Sequence, residues 1–357
     1  MTVDPLRIAM YTSSLPQPGR KPGGVDILIN HLANTLMTRG HEVTIWSYSP
    51  RPSDALYGHV QLLPQSTATR QLSRILIAPA RLNSVSFGDA DVVHLHGDDW
   101  FFLRRRLPTV RTLYGSALYE MRYATRARRL VSQAAIVPLE ALACLLATKA
   151  YGMIPGDGPV HRLHGYLPGA ASPERDSIAE RSEHPTVLFV GTWKGRKRGS
   201  LLRDEFVRHV LPVHPGAELW CVSDFCEESE SVRWIQTPTD AELAQLFHRA
   251  WVFCLPSSYE GFGLPYVEAM ARGVPVVATP NPGARFITRE GRDGIVVAAS
   301  SVGATLAELL GNAGRRATLS ATGIQRAEEF TWDRSAERHE AAYRSTIERF
   351  NGSDANG

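Results

Sequence analysis

The sequence has no long uninterrupted apolar run. Its longest apolar segment, residues 131–148, is broken by Pro138 and Glu140, and it is shorter than the roughly 20 residues that a membrane-spanning helix needs. We expect a buried helix or a pair of helices there. The first residues lack the basic segment, apolar run and small-residue cleavage site of a signal peptide, so we expect a cytoplasmic protein.

Cysteine and lysine are both scarce. None of the 4 cysteines lies in a CxxC pair or at zinc-ligand spacing from a histidine, which favours free thiols over disulfides or a zinc site. Only 4 of the 39 basic residues are lysine. This excess of arginine fits a GC-rich bacterial genome.

The net charge of +3 hides an uneven distribution. Residues 1–170 carry 18 Lys and Arg against 11 Asp and Glu, whereas the remainder carries 21 against 25. Arginines concentrate at 104–106 and 122–129, which predicts an anionic partner such as phospholipid headgroups or a diphosphate, with solvated arginines as the alternative. The aromatic residues that a nucleic-acid platform would interleave with these arginines are missing, so we expect no nucleic-acid partner.

Apolar strands and amphipathic helices alternate along the chain in two halves. The first half opens with a strand at 6–11, a loop rich in glycine and proline, and a helix with Asp26 as the expected N-cap and Gly40 as its stop signal. A proline-rich, charged linker at 165–185 precedes a new apolar strand that begins at Thr186. The alternation predicts an α/β protein with two doubly wound, Rossmann-like domains. Their parallel sheets are expected to face each other across a cleft, at the carboxyl ends of the strands.

A pair of glutamates flanks a glycine-rich turn in the second half. Glu260 follows the apolar strand "WVFCLPS", and Glu268 lies near the start of the next helix, whose first turn contains Pro265. The turn between them consists of Gly261, Phe262, Gly263 and Leu264. Glycines allow close approach of the main chain, and the free amides of a helix start favour an anion such as a diphosphate. Because two carboxylates suit vicinal hydroxyls, the combination predicts a nucleotide sugar as ligand.

The segment "EGFGLPYVEAMARGVPVVAT" closely resembles the E-x7-E motif of the family-4 retaining glycosyltransferases with the GT-B fold. Other segments resemble that family in the same order along the chain: "GG" followed by a helix and "RGHEVTIW", then "ADVVHLHG", "PTVRTLYG" and "VLFVGTWKGRKRG". The resemblance covers residues 6–345. It implies an acceptor-side domain at 1–170 and a nucleotide-sugar domain at 171–335. Residues 336–357 are then expected to form a helix that crosses back to the first domain, followed by a frayed tail.

The resemblance also implies roles for individual residues. Glu260 would face the donor sugar, Glu268 would hold the nucleotide ribose, and the amides of the turn would bind the diphosphate. Lys197 or Arg198 would neutralise the leaving group, without a metal or a cofactor. The remaining donor-side positions are Gly23, Gly24, Gly191 and Thr192.

The sequence departs from the family pattern in three places. Thr192 stands where the family usually has an arginine, for which Lys194 and Arg196 are candidate replacements. Tyr114 stands where many members have a histidine, and Arg285 where a glutamate is common. The histidine's role therefore does not transfer: either Tyr114 hydrogen-bonds on the acceptor side, or the chemistry depends more on Glu260 and main-chain groups.

Two histidine pairs and an acidic cluster need a separate interpretation. We expect His94 and His96 to point to opposite faces of a strand, with one near the cleft and the other packed in the sheet, and we assign His96 to the acceptor side. "DAD" at 89–91 precedes a strand and is interpreted as a turn, and "HRLH" at 161–164 has no third ligand. We therefore predict no metal site.

We expect transfer of a sugar from a nucleotide diphosphate sugar to a hydroxyl of a glycan, glycolipid or secondary metabolite, with retention and front-face attack. A sugar-phosphate epimerase or phosphorylase with the same fold and a non-catalytic nucleotide-sugar-binding protein are the alternatives. An oxidoreductase is disfavoured because no G-x-G-x-x-G follows either domain's first strand. Since lipid-modifying members of the family dock through their first domain, peripheral contact with the inner face of the cell membrane stays open.

Overall fold

The computed structural model of the chain describes residues 4–17, 23–62, 78–103, 106–122, 127–156, 163–171 and 180–354. The chain forms two compact units. The first comprises Met1–Gly169 and Trp332–Gly357, and the second comprises Ala170–Thr331. Part of the predicted linker, residues 172–179, lies outside the described residues.

Strands and helices alternate in both units. The strands are β1 (Arg7–Thr12), β2 (Glu42–Ser47), β3 (Gly58–Gln61), β4 (Val92–Leu95), β5 (Thr109–Leu113), β6 (Lys149–Gly152), β7 (Thr186–Val190), β8 (Glu218–Val222), β9 (Val232–Ile235), β10 (Val252–Leu255), β11 (Val276–Ala278) and β12 (Ile295–Val296). The α-helices are α1 (Gly24–Thr38), α2 (Ala78–Arg81), α3 (Ala117–Arg122), α4 (Ala127–Leu146), α5 (Gly199–Glu205), α6 (Asp240–Arg249), α7 (Leu264–Ala271), α8 (Pro282–Ile287), α9 (Val302–Gly311), α10 (Ala313–Ala327) and α11 (Trp332–Asp354).

Each unit contains a parallel sheet of six strands among its described residues. The order is β3-β2-β1-β4-β5-β6 in the first unit and β12-β11-β10-β7-β8-β9 in the second. The strand order reverses between β1 and β4, and again between β10 and β7. At such a reversal the loops that leave the carboxyl ends of the two neighbouring strands open a crevice, which is where doubly wound folds bind their ligands.

The central strands are buried because helices cover both faces of each sheet. Every residue of β4, β5 and β10 is buried, which explains why their sequences do not alternate between polar and apolar residues. The predicted apolar stripe of α1, including Ile29 and Leu32, is buried against the first sheet.

The start of α1 differs from the prediction. Gly23, not Asp26, is the N-cap; Asp26 lies one turn inside the helix, where its carboxylate accepts a hydrogen bond from the Gly23 N–H at 3.2 Å. The side chain of an acidic residue at the third helical position satisfies the free N–H of the N-cap residue itself, which is the reciprocal half of a capping box. The expected stop at Gly40 agrees with its left-handed backbone, φ +93°.

The apolar segment at 131–148 forms one continuous helix, α4, with Pro138 inside it. The expectation that this segment is buried is wrong for one face. Ala143 and Cys144 are buried, but the side chains of Val131 and Leu145 are 68% and 76% exposed. Hydrophobicity alone does not identify which side of a helix the rest of the chain covers.

Helix α11 belongs to the first unit and packs on α1. Glu340 of α11 accepts hydrogen bonds from Arg39 at 2.6 and 3.1 Å, and its carboxylate lies 3.1 Å from the ring of His41. The last helix of the chain therefore helps to hold the helix that Gly23 begins.

Candidate functional site

Two loops meet at the strand-order reversal of the second unit. One follows β7 and contains Gly191 to Arg198; the other follows β10 and contains Glu260. Because β7 and β10 are parallel neighbours, with Val187 opposite Val252, the loops that follow them leave the same edge of the sheet. Residues that are more than sixty positions apart in the sequence are thereby brought together.

The turn after Glu260 requires its second glycine, Gly263. Gly263 has a left-handed φ of +94° and caps α7, and a Cβ atom at this position would lie 2.5 Å from the Tyr266 ring. The amides at the start of α7 therefore come directly after Glu260, with Pro265 in the first turn as predicted.

Glu260 lies buried between two cations. Its Oε1 is 2.7 Å from Lys197 Nζ and 3.0 Å from Arg196 Nη1, and the residue is only 5% exposed. Burial by itself would raise the pKa of Glu260. The charges of Lys197 and Arg196 outweigh that effect and hold the pKa below its usual value, so Glu260 is ionised at neutral pH.

The basic loop is tied to the glutamate loop by further hydrogen bonds. The Ser258 N–H donates to the Arg196 carbonyl at 2.8 Å, and Arg196 Nη1 donates to the Tyr259 carbonyl at 2.7 Å. Gly191 permits the close packing, because a Cβ atom there would lie 3.1 Å from the Cβ of Lys197. Burial lowers the pKa of Lys197, and the Glu260 carboxylate opposes that shift.

The other basic residues of this loop have different surroundings. Arg198 has a left-handed backbone, φ +58°, and begins α5. Thr192 and Lys194 are exposed, and the Thr192 hydroxyl donates to the Lys194 carbonyl at 3.1 Å. The two cations that reach Glu260 are Lys197 and Arg196. Lys197 is a leaving-group cation predicted from the sequence, and Arg196 is predicted there only as a replacement for the arginine that is absent at Thr192.

Glu268 lies on the second turn of α7, on the same side as the basic loop. It is half-buried. Burial raises the pKa of Glu268, while Arg272 and Lys197 oppose the rise. Both glutamates therefore interact electrostatically with the same lysine, although they belong to different elements.

A third loop supports the turn from behind. The Gly283 N–H donates to the Glu260 carbonyl at 3.0 Å, and a Cβ atom at position 283 would lie 2.3 Å from the Phe262 carbonyl oxygen. Asn281 caps α8 and also donates to the Ser257 carbonyl at 3.1 Å. The sequence analysis missed these supporting residues. Their signal was the "NPG" at 281–283, which marks a capped helix start.

Arg285, the third departure, forms an exposed ion pair with Glu290 at 2.6 Å.

The corresponding edge of the first sheet carries Gly23, Gly24, His96 and Tyr114. The two glycines begin α1, and residues 18–22 before them lie outside the described residues. Tyr114 follows β5, and its hydroxyl oxygen lies within hydrogen-bond distance of His96 Nδ1, at 2.6 Å. Burial raises the pKa of Tyr114, so its hydroxyl stays neutral.

The expectation that His94 and His96 point to opposite faces of the strand is wrong. Residues two positions apart lie on the same side of a strand, and the two rings are tilted against each other with their centroids 3.8 Å apart. His94 also contacts the hydroxyls of Tyr343 and Thr112, each at 2.8 Å. Burial lowers the pKa of both histidines well below the usual value, so both are neutral.

The described residues contain no cluster of three or more His, Cys, Asp or Glu side chains that is arranged to hold a metal ion. Within the same ranges, no helix has both the length and the apolar character that crossing a membrane requires. Of the motifs first considered as metal sites, Asp89 and Asp91 both pair with Arg7, and His164 Nδ1 accepts the Ala150 N–H at 3.2 Å. Arg104, Arg105, His161 and Arg162 lie outside the described residues.

Comparisons with known proteins agree with this architecture. A family model described as Glycosyltransferase Family 4 matches residues 22–150, and one described as Glycosyl transferases group 1 matches residues 184–312. Among curated proteins, a D-inositol 3-phosphate glycosyltransferase of Kribbella flavida is 27% identical over 96% of this chain and 95% of its own length. One from Corynebacterium glutamicum is 25% identical over 95% of this chain and 96% of its own.

Solved structures show the fold of the chain. Sucrose-phosphate synthase from Thermosynechococcus elongatus has a TM-score of 0.75 at 18% identity, covering 95% of this chain and 98% of that one. The Anabaena protein HepE, solved in complex with UDP-glucose, has a TM-score of 0.69 at 14% identity, covering 96% of this chain and all of that one. The fold class expected from the sequence is confirmed.

Proposed function

We propose a donor site and a mechanism for this chain from the premise that it belongs to glycosyltransferase family 4, whose members are retaining enzymes with the GT-B fold. The chain is a nucleotide-sugar glycosyltransferase. Its donor diphosphate binds at the start of α7 and the basic loop after β7. The observation that carries this proposal is the pairing of buried Glu260 with Lys197 and Arg196, directly before the free amides of α7.

The difficult step is the departure of the nucleoside diphosphate from the anomeric carbon. Lys197, Arg196 and the amides of α7 are fixed before the reaction, so they can stabilise the negative charge that grows on the leaving group without reorganising. Arg196 replaces the arginine that the family usually has at the position of Thr192. Support for this comes from its guanidinium, which lies beside Lys197 at Glu260, whereas Lys194 is exposed.

Glu260 orients the donor sugar. An ionised carboxylate only accepts hydrogen bonds, so it selects sugar hydroxyls as its partners. The acceptor hydroxyl then attacks the anomeric carbon from the face that the diphosphate leaves and gives its proton to the departing phosphate oxygen, so that the new C–O bond replaces the broken one with retention. The proposed transfer proceeds without a covalent intermediate.

Glu268 binds the ribose hydroxyls of the nucleotide. Because hydrogen bonds to a charged group contribute about 1.5–3 kcal/mol each, Glu268→Ala is expected to raise the donor Kd about 10- to 100-fold with a smaller effect on kcat. We would measure thermal shifts with UDP-, GDP-, ADP- and dTDP-sugars, starting with UDP-glucose, the ligand named for HepE. Glu290→Gln, an exposed carboxylate of the same unit, is the control.

A donor that stabilises the wild type and not Glu268→Ala would support the site and identify the base. If no donor stabilises the wild type, the site is wrong. Equal stabilisation of the wild type and Glu268→Ala by a donor would show that Glu268 is not part of the donor site.

The acceptor side lies around Tyr114, with His96 fixing the tyrosine hydroxyl. The name of the curated relatives makes an inositol phosphate the first acceptor to test. Gly23 and Gly24, at the start of α1, are also assigned to the donor diphosphate.

We also assign a membrane contact to the exposed face of α4. This face carries only apolar side chains among the described residues: Ala127, Leu130, Val131, Ala134, Ala135, Pro138, Leu142 and Leu145. Glu140, the acidic residue of α4, is turned inward and accepts the Ala117 N–H at 3.0 Å. Arginine is frequent just before and at the start of the helix, at 122–129. An apolar face next to positive charge is the pattern of a helix that lies in an anionic membrane surface.

The double variant Val131→Glu, Leu145→Glu is therefore expected to lose binding to vesicles of phosphatidylcholine and phosphatidylglycerol in a sedimentation assay. Both positions are exposed, so the fold should persist. Val213→Glu, at a 63% exposed position of the second unit, is the matched control. Equal vesicle binding of the double variant and the wild type would contradict the proposal. If the wild type forms a dimer and the double variant does not, the exposed face of α4 binds a second copy of the chain instead of a membrane.

A further inference from the structure

The chain enters and leaves the second unit at two points that are hydrogen-bonded to each other. The unit begins at Ala170 and ends at Thr331, and the Ala171 N–H donates to the Phe330 carbonyl at 3.0 Å. Any rearrangement of the chain at one of these crossing points therefore affects the other.

Phe330 is also part of an aromatic cluster beneath the donor turn. The centroid of its ring lies 5.5 Å from the ring centroid of Phe262 and 5.9 Å from that of Phe286, and both pairs are in edge-to-face geometry. Phe262 is the central residue of the turn and is only 4% exposed. The guanidinium of Arg326 lies over Phe330 and Phe286, with its Cζ 4.6 and 5.3 Å from their ring centres. Such contacts fix the rings in one arrangement.

The turn has little freedom to move independently of this cluster. On its other side the Gly283 N–H holds the Glu260 carbonyl, and Gly283 packs against the Phe262 carbonyl without room for a side chain. A shift of the Phe330 ring must therefore displace Phe262 and, through the main chain, Glu260. Packed interiors transmit such displacements because they contain few voids.

The same segment continues into the first unit. Two residues after Phe330, Trp332 stacks on His31 of α1 with ring centroids 4.9 Å apart. Helix α1 is the helix that Gly23 and Gly24 begin. Residues 330–332 thus connect the core of one unit, below the donor turn, with the helix of the other unit that is assigned to the donor.

We propose that Phe330 is a positioning residue for glycosyl transfer: it sets Glu260 through Phe262 and couples the state of the donor turn to the chain crossing at Ala171. This inference rests on the proposed role of the turn in donor binding. Occupation of the turn and ordering of the chain at Ala171 are then one event.

Two amides report on this coupling in the free protein. Gly283 N–H reports on the turn and Ala171 N–H on the crossing. In amide hydrogen exchange, Phe330→Leu should accelerate exchange at Gly283, and Phe262→Leu should accelerate it at Ala171, each about tenfold or more relative to a control that is equally destabilised. Phe247→Leu, a buried phenylalanine on α6 of the same unit, is that control. Phe330→Met replaces Phe330→Leu if the latter does not fold.

The same measurement with UDP separates this inference from the proposed function. Saturating UDP should slow exchange at Ala171 in the wild type and in Phe247→Leu, and this protection should be lost in Phe330→Leu even where UDP still binds. If UDP binds without slowing exchange at Ala171 in the wild type, or if neither variant changes exchange at the distant amide, the coupling is wrong. If UDP fails to bind but the reciprocal acceleration in the free protein is observed, the donor assignment fails, while the coupling of the turn to the chain crossing through Phe330 remains.

Discussion

Lys197→Met is expected to lower kcat about 100- to 1000-fold, which is the usual loss when one preorganised group that stabilises developing negative charge is removed. Methionine fills nearly the same space, so packing against Gly191, where a Cβ atom would lie 3.1 Å from the Lys197 side chain, is preserved. The loss of kcat would therefore measure what the positive charge of Lys197 contributes to turnover. Arg196 remains near Glu260, and for this reason we expect a large reduction and not complete inactivity.

The same substitution should change the pH dependence. In the wild type, Lys197 and Arg196 hold the pKa of Glu260 below its usual value, against the effect of burial. Without Lys197, burial dominates and the pKa of Glu260 rises. Because the carboxylate is needed in its ionised form, activity is lost as pH falls through this pKa. The acid limb of the kcat profile should thus move to higher pH in Lys197→Met.

Lys194→Met is the matched control, because Lys194 lies in the same loop and is exposed. It should leave both kcat and the acid limb unchanged. If Lys197→Met retained wild-type turnover, the leaving-group cation would have to be sought at Arg196 or Arg198.

The sequence predicts the fold and the elements of the site well, because both depend on local pattern. The apolar run of β10 gives a central strand, Pro265 and Gly273 delimit α7, and the glycines identify the turn between strand and helix. These signals are adjacent in the chain. They therefore place Glu260 in a loop and Glu268 on the following helix without any knowledge of tertiary structure.

The contact between Glu260 and Arg196 could not be predicted in this way. It depends on β7 lying beside β10, and strand order is decided by packing of whole elements and not by the periodicity of any one strand. Sequence pattern gave three candidate basic residues besides Lys197, and no local rule separates them. The structure separates them because only Arg196 donates to the Tyr259 carbonyl and reaches Glu260.

The exposed face of α4 could not be predicted from the sequence for a different reason. A helix that is apolar on most sides is expected to be buried, and on hydrophobicity alone that was the reasonable prediction. Whether one face stays uncovered depends on which other elements pack against it. The uncovered face is informative because it departs from that rule.

Glu260→Gln is expected to lower kcat about 100-fold or more while leaving the donor Kd unchanged or lower. The amide keeps the size of the side chain but loses its charge, and a hydrogen bond to an ionised acceptor is roughly twice as strong as one to a neutral acceptor. Orientation of the sugar in the transition state should suffer most. The diphosphate should bind at least as well, because Lys197 and Arg196 no longer share their charge with Glu260.

The half-buried cations Lys197 and Arg196 would also lack their counterion in Glu260→Gln, so the free variant should unfold at a lower temperature than the wild type. A donor diphosphate can replace the missing charge, and the stabilisation by donor should therefore be larger in the variant than in the wild type. This combination of lower kcat, lower melting temperature without donor and larger thermal shift with donor distinguishes a charge that orients the sugar from a carboxylate that only supports the fold. Wild-type turnover in Glu260→Gln would sink the assignment, and a donor Kd raised as much as kcat is lowered would make Glu260 a binding residue instead.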